Sequence, residues 1–320
     1  MNSVNIFFIL YDARSGSTFL SNLLVKNYDI VIPPESNFII KITKHYKKDT
    51  IINTDGNLKD IIDFIYKDDK FKDWRIDKET LYVSLYDELP LKINEVIYHI
   101  LDMYRKNNNP FAKLIGVKKG SYLLFKKNIF DFFPESKIIS IIRDGRAVYN
   151  SKKSNIVSST NRPFASKPEQ AALEWMYKAD MIEEIKKEKK NDNIIIYYED
   201  IVLNTKQSLK NIARFLNAEE NQDNDTKMYV SKERYGKLHQ NIQRESIFAR
   251  INAWKNNLSK LEIRKYELYA YDHLNKYGYD CEIINDNNNR TIYRYIYLYK
   301  KLIFKLKNKA ASILLPYISK

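Results

Sequence analysis

Glycine, histidine and cysteine are scarce in this chain of 320 residues, which holds seven, four and one of them. A single cysteine, Cys281, excludes an intramolecular disulfide framework and a cysteine-ligated metal cluster, as is typical of proteins in a reducing compartment. The histidines lack the spacing of metal ligands, so we expect no metal. No apolar run is long enough to span a bilayer, and the first residues lack the basic leader of a secretory signal. These absences predict a cytoplasmic protein.

Positive charge is abundant and unevenly distributed. The formal net charge is +14, which favours anionic partners such as nucleotides, acidic glycans, lipid headgroups or nucleic acid. Eight basic residues and no acidic residue lie between positions 290 and 320, so positions 1–289 carry the remaining 14 − 8 = +6. We therefore divide the chain into a main domain over 1–284 and a basic tail over 285–320, which begins with the linker-like run 285–289.

The tail has an amphipathic pattern, with tyrosine, leucine and isoleucine interleaved with lysine and arginine from Tyr293 to Leu306. Such a pattern is typical of a helix that lies on a membrane surface or against a partner. It is equally compatible with a helix that packs on its own domain and leaves a basic face in solvent. The sequence leaves both interpretations open.

Short apolar strands alternate with helices through the first 216 residues, which predicts an α/β fold with three layers and a mostly parallel central sheet of about five strands. The predicted strands are Val4–Tyr11, Asp29–Ile32, Lys113–Lys119, Lys137–Ile142 and Asn193–Tyr198. The predicted later helices cover 122–133, 145–154, 168–190, 206–216 and 258–277, with polar loops over 155–167 and 218–248.

Residues 36–109 interrupt this alternation and contain no convincing strand, so they are predicted to form a helical insertion. An insertion of this kind can form one wall of an acceptor pocket. Trp74, Tyr82 and Tyr86 are available there for stacking on an acceptor, although aromatic residues at such spacings are more often packed in a core.

The turn after the first strand has the composition of an anion-binding loop. Asp12 to Thr18 combines small residues, three hydroxyls and Gly16, and an amphipathic helix follows at once. The first N–H groups of a helix have no intrahelical partner and carry the positive end of its dipole, so small residues let a phosphate approach bare backbone. A helix capped by Ser15 or Ser17 without a ligand is the alternative.

A second candidate site follows the fourth strand, where Arg143-Asp144-Gly145-Arg146 ends the apolar run and Ser151 comes eight residues after Arg143. An arginine at a strand end offers a forked cationic donor to a phosphate, and a serine two turns along the next helix adds a hydroxyl from the same side. A salt-bridged strand end with a surface serine is the alternative for either residue alone.

These two segments resemble the nucleotide motifs of the sulfotransferases that use 3′-phosphoadenosine 5′-phosphosulfate (PAPS). The Arg14-Ser-Gly-Ser-Thr18 loop resembles their 5′-phosphosulfate loop, in the arginine form of the glycan and tyrosyl-protein branches. The Arg143 and Ser151 pair resembles their 3′-phosphate motif in residue types and spacing.

Four further segments resemble the family. Glu35 lies 21 residues after Arg14, about where the glycan and tyrosyl-protein enzymes carry their catalytic glutamate. The segment from Gly116 to Tyr122 resembles G-x-K-x-P-x-Y, whose lysine reaches the transferred group. Gly120 replaces the proline, so Lys118 and Lys119 both remain candidates.

The remaining resemblances concern the nucleotide. Tyr198, within Tyr-Tyr-Glu-Asp at the fifth strand end, resembles the tyrosine that lies near the adenine. The segment Arg250-Ile-x-x-Trp254-Lys-x-x-Leu258 resembles the late loop over the 3′-phosphate, with Arg244 or Arg250 as its cation.

The resemblance implies a PAPS-dependent transfer of the sulfuryl group to an acceptor hydroxyl, with 3′,5′-diphosphoadenosine as product and no metal. It implies Glu35 as general base, Arg14 and Lys118 as stabilising cations, and the backbone of Ser15–Thr18 as the phosphosulfate cradle. The glutamate and the arginine-type loop favour a glycan or peptide hydroxyl, and a carbohydrate acceptor is the first choice. We expect no nucleic acid partner and regard peripheral membrane contact through the tail as open.

Two other classes of protein share parts of this pattern. A phosphate-loop kinase or NTPase would need a lysine after the glycine loop and an acidic Mg²⁺ ligand at a second strand end. A non-enzymatic basic module that binds membrane or nucleic acid would fit the charge but leave the ordered nucleotide motifs unexplained. For Glu35, capping of a helix that begins near Ser36 is the alternative to catalysis.

Overall fold

A parallel five-stranded sheet organises the computed structural model, which describes residues 5–157, 161–221, 248–282, 291–303 and 306. The spatial order of its strands is β2-β5-β1-β6-β9. All of its adjacent pairs are parallel. The five strands are β1 (Asn5–Tyr11), β2 (Ile30–Val31), β5 (Leu114–Lys118), β6 (Lys137–Ile142) and β9 (Asn193–Tyr197). The predicted sheet is therefore confirmed, with strand ends within one or two residues of the prediction.

The first strand lies at the centre of the sheet because both of its faces are apolar. Phe8 and Leu10 pack into one hydrophobic layer, whereas Phe7 and Ile9 pack into the other. A strand buried on both sides reads as an unbroken apolar run, which is what the sequence shows. Since the strands are parallel, the residues that follow β1, β5, β6 and β9 emerge at one edge of the sheet.

Helices cover both faces. Helices α1 and α10 supply part of one apolar layer, whereas the insertion, α8 and α12 supply much of the other. The helices are α1 (Ser17–Asn27), α2 (Phe38–His45), α3 (Asp55–Tyr66), α4 (Lys78–Tyr86), α5 (Ile93–Asn108), α6 (Lys126–Phe132), α7 (Gly145–Lys153), α8 (Pro168–Glu188), α9 (Tyr198–Leu203), α10 (Thr205–Leu216), α11 (Ala253–Asn257) and α12 (Lys260–Lys276). Residues 291–303 and 306 are also helical.

The insertion is mainly helical, as predicted, but the prediction that it contains no strand was wrong. Two-residue strands β3 (Ile51–Ile52) and β4 (Leu91–Lys92) pair antiparallel and join the α2–α3 connection to the α4–α5 connection. Trp74 is buried, and its indole N–H donates to the Pro34 carbonyl oxygen at 2.9 Å. Trp74 is therefore a packed residue of the core, whereas Tyr86 is exposed.

Two further boundaries differ from the prediction. The helix predicted over 122–133 begins as a 3₁₀ turn, Gly120–Leu123, and continues as α6. The polar loop over 155–167 contains a small antiparallel pair, β7 (Ile156–Val157) with β8 (Arg162–Pro163). Most of the predicted 218–248 loop and the whole 285–289 linker lie outside the described residues. No helix within the described parts of the chain is long and apolar enough to cross a membrane.

A buried ionic network joins α7 to α12. The Arg146 guanidinium donates to the carboxylates of Asp144 and Glu267, and its Cζ atom lies 4.0 Å from the centre of the Trp254 ring. Glu267 is fully buried and Arg146 nearly so. Because a buried charge without its partner is costly, this network fixes the late part of the chain against the sheet.

We expect Glu267→Ala to lower the free energy of unfolding by about 3–5 kcal/mol, because it leaves part of the charge of Arg146 buried and uncompensated. The matched control is Asp131→Asn, which breaks an exposed ion pair with Lys127 and is expected to cost less than about 1 kcal/mol. Urea unfolding measures both. Similar losses in the two variants would contradict the structural role of the network.

Candidate active site

The loop between β1 and α1 has the backbone of an anion-binding turn. Arg14 and Gly16 both have positive φ, 74° and 88°. Gly16 is the N-cap of α1 and provides no side-chain cap for the helix. The first N–H groups of α1 are therefore not covered by a capping side chain, which contradicts the alternative that Ser15 or Ser17 caps the helix in place of a ligand.

Tyr198, the first residue of α9, fills the space beneath this loop. A Cβ atom on Gly16 would lie 2.2 Å from the Tyr198 ring, so only glycine fits at this position. The ring also contacts Arg143, whose guanidinium carbon lies 4.2 Å from the ring centre. Tyr198 thus joins the loop after β1 to the end of β6.

The two predicted phosphate motifs meet directly. Arg14 donates through Nε to the Ser151 hydroxyl at 3.0 Å, and Arg143 donates to the Arg14 carbonyl oxygen at 2.9 Å. Arg143 also donates to the carbonyl oxygen of Arg250 at 3.2 Å. Its Nε atom is buried and has no hydrogen-bond partner among the described residues.

Three guanidinium groups therefore crowd together at the edge of the sheet. Burial lowers the pKa of Arg14, and the charges of Arg143 and Arg250 lower it further. Burial also lowers the pKa of Arg143. In the parts of the chain that the structure describes, no carboxylate forms an ion pair with any of the three. A cation cluster of this kind favours an anionic ligand.

A carboxylate, a tyrosine and a lysine form the second half of the site. Glu35 accepts a hydrogen bond from the Tyr11 hydroxyl at 2.6 Å and one from Lys118 Nζ at 3.1 Å. Burial raises the pKa of Glu35, but Lys118 and Tyr11 outweigh it, so the pKa of this carboxyl lies below its ordinary value. Glu35 is thus ionised at neutral pH and available as a base.

Glu35 does not cap the next helix. Helix α2 begins at Phe38, whose N–H donates to the Ser36 hydroxyl at 3.2 Å. The backbone N–H of Asn37 donates to Asp68 at 2.5 Å. The capping alternative for Glu35 was wrong, because Ser36 and Asp68 satisfy that helix end and leave the glutamate directed at Tyr11 and Lys118.

Lys118 links the two halves of the site, since its Nζ lies 3.4 Å from the Thr18 hydroxyl as well as 3.1 Å from Glu35. Its neighbour Lys119 is buried and lines the cavity of the site, whereas Lys118 is not a lining residue and meets the site through Glu35 and Thr18. Burial lowers the pKa of Lys119, and repulsion from Lys70 lowers it further. Both candidate lysines therefore belong to the site, and Lys118 is the one in contact with Glu35.

Apart from Lys118, these groups line one cavity of about 550 Å³. It brings together the sequence-predicted residues Arg14, Gly16, Ser17, Thr18, Glu35, Arg143, Ser151, Tyr198 and Arg250. Ser15 is buried in the loop, where its N–H donates to the Asp12 carbonyl oxygen at 3.1 Å. Arg244 lies outside the described residues, so only Arg250 is placed.

An ion cluster below the loop was missed from the sequence. Asp12 pairs with Lys152 at 2.8 Å and with Lys178 at 2.5 Å, and Lys178 lines the cavity. Burial raises the pKa of Asp12, but the two lysines outweigh it and hold this pKa below its ordinary value. Lys70, Ser121, Leu124 and Phe164 of the cavity wall were also missed. Their only sequence signal was proximity to strand ends or to the insertion.

Comparisons with known proteins identify the family of this chain. A model of the sulfotransferase family matches residues 7–222, which is more than half of the chain. The chain belongs to the sulfotransferase family. The protein-tyrosine sulfotransferase of Drosophila melanogaster is 27% identical over 122 residues, which cover 36% of this chain and only 23% of that relative.

Two solved structures share the fold. The sulfotransferase domain from the curacin biosynthetic pathway aligns with a TM-score of 0.52 at 18% identity, covering 87% of this chain and 98% of that domain. The sulfotransferase domain from the Synechococcus PCC 7002 olefin synthase aligns with the same TM-score and identity, covering 85% of this chain and 97% of that domain. These likenesses establish the fold.

The close contact between Gly16 and Tyr198 gives a direct test of the loop. We expect Gly16→Ala to lower the free energy of unfolding by at least about 1–2 kcal/mol, because φ is positive and the new methyl group meets the ring. Gly56→Ala in α3 is the control, since nothing lies within 4 Å of its added Cβ. Alanine there should be neutral or stabilise by up to about 1 kcal/mol. Equal stabilities in denaturant would contradict the described loop.

Proposed function

We propose that this protein transfers the sulfuryl group from PAPS to an acceptor hydroxyl. The observation that carries the proposal is the cluster of Arg14, Arg143 and Arg250 beside the uncapped start of α1. No carboxylate among the described residues forms an ion pair with any of the three. A nucleotide that carries two phosphate groups would satisfy both of these adjacent sets of donors at once. The motif resemblance and the family membership support the same donor.

The residues present fit such a donor. We assign the 3′-phosphate to Arg143, Ser151 and Arg250, since the buried Nε of Arg143 still lacks a described partner. We assign the 5′-phosphosulfate to Arg14 and to the backbone N–H groups of residues 16–18, because the N–H of Ser15 already donates to the Asp12 carbonyl oxygen. When bound, the donor supplies a sulfuryl group activated by its bond to phosphate. Contact between Tyr198 and the adenine stays a prediction.

Residues around Lys118 accept the proton of the acceptor and stabilise the negative charge that develops during the transfer. Glu35 accepts the proton of the acceptor hydroxyl while the oxygen of that hydroxyl bonds to sulfur. The bond between sulfur and the phosphate oxygen breaks in the same step. Lys118 and Arg14 stabilise the negative charge that grows on the departing oxygen. The 3.1 Å and 3.4 Å contacts of Lys118 support this assignment, because they place one ammonium between the base and the phosphate loop.

For the acceptor, we propose a hydroxyl on a carbohydrate. The cavity next to Glu35 is lined by Lys119 and Lys70, and this positive wall favours an acceptor that carries acidic groups. An acidic tyrosine peptide has the same charge, and the partly matching relative is named a protein-tyrosine sulfotransferase. Transfer to peptides but not to carbohydrates would contradict the proposed acceptor and leave the donor proposal intact.

The domain limits 1–284 and 285–320 and a cytoplasmic location stay predictions from the sequence. The same holds for a membrane contact through the tail, which does not depend on the identity of the donor. Family membership speaks against the phosphate-loop kinase, and the ordered cavity speaks against a purely non-enzymatic basic module.

We expect Arg143→Ala to weaken binding of 3′,5′-diphosphoadenosine at least about tenfold, because a charge-assisted hydrogen bond contributes about 1.5–3 kcal/mol. Ser151→Ala is the milder variant and should weaken binding less. The control is Arg264→Ala, which removes an exposed arginine of α12. Titration calorimetry without metal measures all three. Unchanged affinity in Arg143→Ala, with the fold intact, would contradict the assigned phosphate site.

We expect Glu35→Gln to lower kcat about 10²- to 10⁴-fold with diphosphoadenosine binding retained, because the amide cannot accept the hydroxyl proton. The assay measures transfer of labelled sulfate from PAPS to a panel of carbohydrates and tyrosine peptides. Wild-type rates in Glu35→Gln would remove Glu35 from the mechanism.

The pH profile tests the environment of this base. The basic form of Glu35 is lost as pH falls through its pKa, which Lys118 and Tyr11 hold below the ordinary value. The acid limb of kcat/KM should therefore lie below about pH 4.3, the ordinary glutamate pKa. Tyr11→Phe should move this limb to higher pH. Tyr82→Phe, whose hydroxyl contacts Asp55 instead, should leave it in place.

A further inference from the structure

The helix over 291–303 and 306 is fixed to the catalytic domain by one of its faces. Tyr297 is buried, and its hydroxyl and the Lys301 ammonium both donate to Asp180 of α8. His273 of α12 lies 2.9 Å from the same carboxylate. Tyr293 packs against a tyrosine of α12, with ring centres 4.7 Å apart. This docked face confirms that the described tail packs on its own domain.

The other face of the same helix is apolar and exposed. Five large apolar or aromatic side chains are each 56% to 69% exposed. With about 3.6 residues per turn, their positions fall within about 80° of one another around the helix axis. We call this surface the tail face, and it consists of Ile292, Tyr295, Tyr299, Leu302 and Leu306.

Scattered apolar residues on a protein surface are ordinary, but a continuous helical stripe marks an interaction site. Because the tail is anchored through Asp180, the stripe does not turn inward to complete the described core. Packing on the domain and contact with an external surface are therefore compatible, since they use opposite faces of one helix.

The charge of the tail indicates which kind of partner binds the tail face. Positions 290–320 hold eight basic residues and no acidic residue, so the segment that carries this stripe has a strong positive charge. Arg294 and Lys300 are exposed on the described helix. Two copies of such a tail would repel each other. An anionic lipid surface attracts the basic side chains, and its interface accommodates leucine, isoleucine and tyrosine.

We propose that the tail face is the docking surface of this protein for an anionic membrane. The helix lies flat on the bilayer, with the stripe among the headgroups and acyl chain ends and the basic residues on the lipid phosphates. The catalytic domain is carried at the surface through the contacts of Asp180. The proposal is independent of the sulfuryl donor.

The test is sedimentation of the full chain with vesicles of phosphatidylcholine, with and without phosphatidylserine. The wild type should bind only the vesicles with phosphatidylserine, and less as salt rises. Tyr299→Glu combined with Leu302→Glu should lower this binding at least about tenfold, because both changes remove apolar contact and add repulsion.

The control adds the same two charges elsewhere, as Val83→Glu combined with Leu261→Glu, at residues that are 49% and 62% exposed. It should retain most of the binding, and both variants should retain the wild-type fold and affinity for diphosphoadenosine. Three results would overturn the proposal. The first is a wild type that does not bind vesicles, and the second is an equal loss of binding in the two double variants. The third is a wild-type dimer that dissociates in the tail variant while vesicle binding is absent.

Discussion

The arginines at the end of the sheet impose the constraint on which the site depends. Arg143 is buried and lies beside Arg14 and Arg250. It donates one hydrogen bond to each of two backbone carbonyl oxygens. Carbonyl dipoles orient a guanidinium without cancelling its charge. The buried positive charge is therefore electrostatically unfavourable in the folded chain, and an anionic ligand relieves this. The parallel sheet makes this possible because it brings four strand ends to one edge.

The structure separates the charges that hold the fold from those available to a ligand. Arg146 is compensated by Asp144 and Glu267, and Asp12 is compensated by two lysines below the phosphate loop. Both networks lie within a few residues of the arginines that have no described carboxylate partner. Buried counter-charges thus fix the scaffold, while the cavity keeps a positive field for its ligand. Lys118 belongs to both groups because it pairs with Glu35 and reaches the loop hydroxyl of Thr18.

The sequence predicted the parts of this arrangement that depend on local patterns. The apolar runs of β1, β5, β6 and β9 located the strands, and the residues directly after them located most of the site. The two-residue pair β3–β4 was missed because so short a strand has no measurable periodicity. The Asp12–Lys178 pair joins residues 166 positions apart, and nothing in the sequence near either residue indicates the other. The choice between Lys118 and Lys119 could not be made either, since it depends on which side chain reaches Glu35.

The most direct measurement of the central claim is the thermal stability of the wild-type protein with each of two nucleotides. A ligand that binds the folded state raises Tm according to its concentration relative to Kd. The proposed site predicts a clear rise with 3′,5′-diphosphoadenosine in the presence of a chelator, and little change with ATP and Mg²⁺. A rise with ATP and Mg²⁺, and none with diphosphoadenosine, would contradict the assignment of the arginine cluster to the sulfuryl donor.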